Sequence, residues 1–170
     1  MSSSDRGRIT QLLASAPLKA LLQEALERGG YIRARASGCS MHPFIRDNDI
    51  LHVEPARASQ LKLGDVILFC DSQGKYITHR LVKKGTENGR VLLTTKGDNT
   101  AFCDLPIPAT EMMGRVVEIE RNGRCLRLDR GAGRMFNSLV YRLSPWKPWR
   151  FSWLRWLARH PWRWMGRLIW

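Results

Sequence analysis

The chain has 170 residues, enough for one domain with its own hydrophobic core. With 44% hydrophobic and 25% charged residues, it is neither a disordered polymer nor a chain that needs disulfides or a structural metal to hold it together. The formal charge of +13 is unevenly spread: nine of the 28 Lys and Arg fall from Arg130 onward, where no acid follows Asp129. All seven Trp lie in that stretch too, so composition divides the chain into an N-terminal segment (1–30), a central body (31–129) and a basic, Trp-rich tail (130–170).

In the first segment, Leu12, Leu13, Leu18, Leu21, Leu22 and Leu26 recur at three- and four-residue steps, and Gly29-Gly30 ends the pattern. This predicts an amphipathic helix. Gln11, Lys19, Gln23 and Glu24 interrupt the apolar stretch, which suits neither a membrane span nor a secretory signal.

The period then changes. Residues 31–36, 50–53, 66–69, 76–82, 91–95 and 113–119 are short runs rich in Val, Ile, Leu and Thr, which predicts strands. Turn signals separate them at Asp47-Asn48-Asp49, Gly64-Asp65, Gln73-Gly74, Asn88-Gly89, Gly97-Asp98-Asn99 and Asn122-Gly123. Six or seven strands with tight connections predict a mainly β, antiparallel, barrel-like domain.

Cys39, Cys70, Cys103 and Cys125 lack close pairing and sit in or beside apolar runs, the pattern of free thiols in a reducing compartment. His42, His52, His79 and His160 are scattered singly, so no metal and no other cofactor is expected.

The segment Ser37-Gly38-Cys39-Ser40-Met41-His42-Pro43 follows the first predicted strand. Its small residues let the backbone bend and present a hydroxyl at the rim of a sheet. A serine hydroxyl is a poor nucleophile alone; acyl transfer needs a base about 2.6–3.2 Å away and donors for the developing oxyanion. The backbone N–H groups of Cys39 and Ser40 are the candidate donors.

The order of motifs is more specific than the serine itself. Ser-Gly-x-Ser-Met-x-Pro at 37–43 is followed by Asp49-Ile-Leu-His-Val, Gly64-Asp65-Val-Ile-Leu-Phe, Ile77-Thr-His79-Arg80-Leu-Val and Lys96-Gly97-Asp98-Asn99. This order resembles the signal peptidase I and LexA-like serine peptidase superfamily over about residues 37–117. The resemblance implies Ser40 as nucleophile and His79 as general base; a His-Arg pair there looks like the endoplasmic-reticulum and archaeal signal peptidases rather than the bacterial enzymes, which usually carry Lys. An unperturbed imidazole is largely neutral at pH 7, whereas lysine serves as a base only after strong desolvation.

The acid partner of such enzymes lies shortly after the Gly-Asp-Asn motif and maps to Asp104, with Asp98 either structural support or the competing acid. Arg80 is then expected to pair with an acid such as Asp98, and Met41 to pack beside the scissile bond. Signal peptidases commonly read Ser-Gly-Ser-Met, but Cys39 stands between Gly38 and Ser40 here, a spacing closer to the LexA-like branch. One helix before Ser40 is too little for a helix-turn-helix repressor.

The implied reaction is cleavage of a signal or leader peptide with small residues before the cut. Two other readings stay open: a catalytically inactive, membrane-docked module that binds peptides by strand addition, and a nucleic-acid-binding protein supported by charge alone.

In the tail, Arg155, Arg159, Arg163 and Arg167 recur every four residues among Trp153, Trp156, Trp164 and Trp170. On a helix this pattern suits the headgroup boundary of an anionic membrane, where each arginine adds about 1 kcal/mol. A span would bury four Arg and Pro161 in the bilayer core. The expected partners are therefore a peptide or protein substrate and an anionic membrane surface, with no nucleic acid, and the expected location is peripheral, on the cytoplasmic face.

Overall fold

A computed structural model of the chain describes residues 28–143 and, before them, Glu24. The predicted N-terminal helix and the tail residues Trp153, Arg155, Trp156, Arg159, Arg163, Trp164, Arg167 and Trp170 lie outside the described residues. Among the described residues no helix is long and apolar enough to cross a membrane.

The body is an antiparallel sheet curled into a half-barrel. Its strands are β1 (Ile32–Arg35), β2 (Ile50–Glu54), β3 (Val66–Cys70), β4 (Tyr76–Glu87), β5 (Arg90–Lys96), β6 (Ile107–Pro108), β7 (Met112–Arg121) and β8 (Arg124–Arg127), and helix α1 (Gly131–Leu143) follows. The order is β1-β2-β7-β3-β4-β5-β6. β8 pairs with the C-terminal half of β7, beyond the half that pairs with β3.

All six predicted strands form. Two-residue loops join β4 to β5 at Asn88-Gly89 and β7 to β8 at Asn122-Gly123, and all four residues have positive φ. That backbone matches the right-handed twist of the flanking strands, and Asn and Gly tolerate it best. Two strands fall outside the six predicted segments: β6 has two residues, and of the four in β8 only Leu126 is buried, too sparse a pattern to announce a strand.

β3 is the hinge of the core because every one of its residues is buried. Strand side chains alternate between faces, so Val66 and Leu68 join one cluster with Met41, Phe44, Leu51, Val53, Val116 and Ile119. Ile67 and Phe69 join the other, with Leu61, Leu81 and Leu93. The same alternation sorts β4. His79 pairs with Ile67 and Arg80 with Val66, so two adjacent residues are delivered to opposite faces.

Helix α1 closes the first cluster. Phe136 and Val140 pack against it, and Phe136 stacks on Phe44 with ring centroids 5.7 Å apart. A Cβ on Gly133 would lie 1.8 Å from the Arg127 carbonyl oxygen, so only glycine lets the helix come this close to β8. Gly133 and its neighbour Ala132 are both helical.

Candidate active site

The loop between β1 and β2 carries Ser40 and is fixed at several points. Gly38 has φ 92° and its N–H donates to Asp47 Oδ1 at 2.9 Å. Directly after Ser40, Met41, Phe44 and Ile45 are buried in the core. Burying side chains of this size contributes about 1.5–3 kcal/mol each, so the loop is anchored to the core. Met41, expected beside a scissile bond, is 4% exposed and belongs to the core cluster of Phe44 and Leu51.

Asp49, visible in the sequence as a turn residue and the start of the Asp-Ile-Leu-His-Val motif, is a buried carboxylate that ties the far end of this loop. It accepts from the Arg46 N–H at 2.7 Å and pairs with both Nε and Nη2 of Arg121, whose Nη2 also donates to the Phe44 carbonyl at 3.0 Å.

His79 projects from β4 on the face of Ile67 and Phe69, with its ring edge-on to Phe69. Its Nδ1 lies 2.7 Å from Asp104 Oδ2 and its Nε2 lies 3.0 Å from Ser40 Oγ. A carboxylate only accepts, so the network assigns the proton to Nδ1 and leaves Nε2 to accept from the Ser40 hydroxyl.

Asp104 sits in the loop after β5 and is held by that strand twice. Its N–H donates to the Thr95 carbonyl at 2.8 Å, and Thr95 Oγ1 donates to its Oδ2 at 2.6 Å. Thr95 is fully buried and pairs with Leu81, on the face that carries His79. Burial pushes the Asp104 carboxyl up, but hydrogen bonds from His79 and Thr95 and the electrostatic pull of His79 and Lys96 outweigh it. The net effect holds the carboxyl below the usual aspartate value.

Asp98 goes elsewhere. Both its oxygens are taken by Arg80, from Nε and Nη2 at 2.7 Å each, and the guanidinium lies 4.8 Å above the Phe44 ring. Arg80 is 0% exposed and Asp98 4% exposed, so this ion pair is part of the core. Of the two acids the sequence left in competition, Asp104 is the one against the imidazole.

The turn containing Asp98 also touches the serine loop. Asn99 N–H donates to the Ser40 carbonyl at 2.7 Å, and Asn99 Nδ2 donates to the Cys39 carbonyl at 3.2 Å. These bonds orient the peptide groups around Ser40. The N–H groups of Cys39 and Ser40, the sequence's oxyanion candidates, donate no hydrogen bond among the described residues. Thr95 escapes a reading by residue type because it is not chemically reactive, and Asn99 was visible only as part of the Gly-Asp-Asn motif; the signal available for Thr95 was its nearness to that motif and the alternation of β5.

Fold and site together define a class: a curled antiparallel sheet that holds a hydroxyl, an imidazole and a carboxylate in series where two of its loops meet. The Peptidase S24-like family matches residues 15–117, more than half of the chain, and the chain belongs to that family. It is similar to the signal peptidase complex catalytic subunit SEC11 of Candida tropicalis, 37% identical over 71 residues, which make up 41% of this chain and 42% of the relative. The corresponding SEC11 of Eremothecium gossypii is 41% identical over 70 residues, 40% of this chain and 41% of the relative. Signal peptidase I W of Bacillus subtilis is 33% identical over 76 residues, 44% of this chain and 40% of the relative. Each match thus spans less than half the length of these curated relatives.

Proposed function

We propose that the chain is a serine endopeptidase that cleaves a signal or leader peptide. The observation that carries this reading is the pair of contacts on one imidazole: Ser40 Oγ at 3.0 Å from Nε2 and Asp104 Oδ2 at 2.7 Å from Nδ1. Relatives named as signal peptidases support the choice of substrate class.

Ser40 Oγ attacks the scissile carbonyl while Nε2 takes its proton. The N–H groups of Cys39 and Ser40 bind the oxyanion. The imidazolium then gives its proton to the leaving amine, and the acyl group stays on Ser40. Water, deprotonated by Nε2, releases the acid and restores the serine. Asp104 keeps its charge throughout, fixing the tautomer and stabilising the imidazolium.

Phe102 and Leu105 flank Asp104 and are 83% and 85% exposed, an apolar rim that suits the apolar body of a leader. The resemblance adds a preference for small residues before the cut. The tail, through Trp153, Arg155, Trp156, Arg159, Arg163, Trp164, Arg167 and Trp170, docks the enzyme on an anionic membrane surface at the cytoplasmic face.

Cleavage of a leader peptide ending in Ala-x-Ala, by wild type and by Ser40→Ala and His79→Ala, is the test. Both variants are expected to lose activity by at least about a thousandfold. Equal rates in all three remove the enzyme. If Ser40 resists a serine-directed acylating probe while the leader still binds, the chain is a peptide-binding module. Liposome binding against oligonucleotide binding, with residues 1–143 as the control, tests the tail.

A further inference from the structure

No residue of the relay belongs to α1, yet the helix reaches the site through a buried guanidinium. Arg80 brings five N–H donors into the core, and a buried charge is tolerated only when its donors are satisfied. Nε and Nη2 go to Asp98, while Nη1 goes to the Gly64 carbonyl at 2.8 Å and to Oδ1 of Asn137 on α1. Asn137 is itself 5% exposed. The helix meets the same network a second time, because Tyr141 packs on Gly64: a Cβ on that glycine would lie 3.0 Å from Tyr141 Cβ.

Beyond Asp98 the path continues to the nucleophile. Asp98 lies between Gly97, whose backbone abuts the Ser40 carbonyl and His79 Nε2, and Asn99, whose N–H donates to that carbonyl. We propose that Asn137 is a positioning residue for the Ser40 site, acting through Arg80 and Asp98. This rests on the reading of Ser40 as a nucleophile. Without the Asn137 side-chain acceptor, Nη1 keeps the Gly64 carbonyl and a long contact of 3.5 Å to the Asn137 carbonyl, and the guanidinium is freer to tilt. Asp98 is gripped at both oxygens, so it follows, and the 97–99 turn shifts against Ser40. Attack geometry is sensitive to displacements well under an ångström, so a side chain that touches no reacting atom governs the rate.

The experiment uses the full chain and three variants: Asn137→Ala, Asn137→Asp, which keeps an acceptor, and Val140→Ala, which loosens packing of the same helix without removing a hydrogen bond. Asn137→Ala is expected to lower kcat on the leader peptide by about tenfold to a hundredfold, with KM within about threefold of wild type. It should also speed amide exchange of Asn99 N–H by about tenfold or more, while that of Leu93 N–H in β5 stays unchanged. Asn137→Asp should restore both readouts to within about threefold of wild type. Val140→Ala should lower Tm and leave kcat and Asn99 exchange close to wild type.

Wild-type kcat and wild-type Asn99 exchange in Asn137→Ala would overturn the proposal. So would a Val140→Ala variant that reproduces both effects, because the role would then be packing alone. If the wild type cleaves nothing, the peptidase reading fails, and Asn99 exchange by itself decides whether Asn137 holds the turn.

Discussion

Gly97 packs its Cα against the Ser40 carbonyl so closely that a Cβ built there would lie 2.7 Å from that oxygen and 3.1 Å from His79 Nε2. The position therefore has no room for a side chain between the Ser40 carbonyl and the His79 ring. Gly97→Ala is expected to reduce kcat/KM by about a hundredfold or more through displacement of the Ser40 loop. Overpacking of this kind costs about 1–3 kcal/mol of stability. Urea unfolding beside leader-peptide kinetics separates the two effects; a Gly97→Ala enzyme with wild-type kcat/KM would show that the 97–99 turn does not govern Ser40.

Asp104→Asn keeps the shape of the acid and removes its charge. An amide donates as well as accepts, so it favours the wrong imidazole tautomer, and a drop in kcat of about a hundredfold to ten-thousandfold is expected, with leader binding retained. A loss smaller than about threefold would leave His79 without need of an acid partner.

The carboxyl of Asp104 also sets a pH dependence. Its value in the fold is held below the ordinary one, so the stabilisation it provides is complete above an ordinary aspartate pKa of about 3.9 and disappears as pH falls through its own lower value. Wild type should accordingly lose more stability than Asp104→Asn on acidification across that window. Thr95→Val deletes one of the hydrogen bonds that hold the carboxyl down and should move its titration upward, read directly by carboxyl carbon NMR. An unchanged titration in Thr95→Val would mean that the bond to Thr95 Oγ1 does not hold the charge.

The buried pair Arg80–Asp98 predicts an asymmetry. Asp98→Ala strands a guanidinium in the core and is expected to cost about 3–5 kcal/mol in urea unfolding, whereas Arg80→Met combined with Asp98→Leu removes both charges and should cost less than the single change. A single variant that loses under about 1 kcal/mol would place water, or another acid, at the guanidinium.

Local chemistry in the sequence settled a good deal. Short runs rich in Val, Ile, Leu and Thr marked six strands, and Asn-Gly pairs marked two tight turns, because strand propensity and positive φ are properties of a few neighbouring residues. The motif order around Ser40 and His79 pointed to the hydroxyl and the imidazole. Contacts across long stretches of chain were decided only by folding. His79 lies 39 residues from Ser40 and 25 from Asp104, and Arg80 lies 57 from Asn137.

Asp98 and Asp104 are the same residue type six positions apart, and the motif order favoured Asp104 without excluding Asp98. The alternation of β4 distinguishes them by sending His79 to one face and Arg80 to the other, so that each acid meets a different partner. Met41 shows the same limit: residue type says that it is apolar, but only the curl of the sheet decides that the side chain next to Ser40 packs into the core.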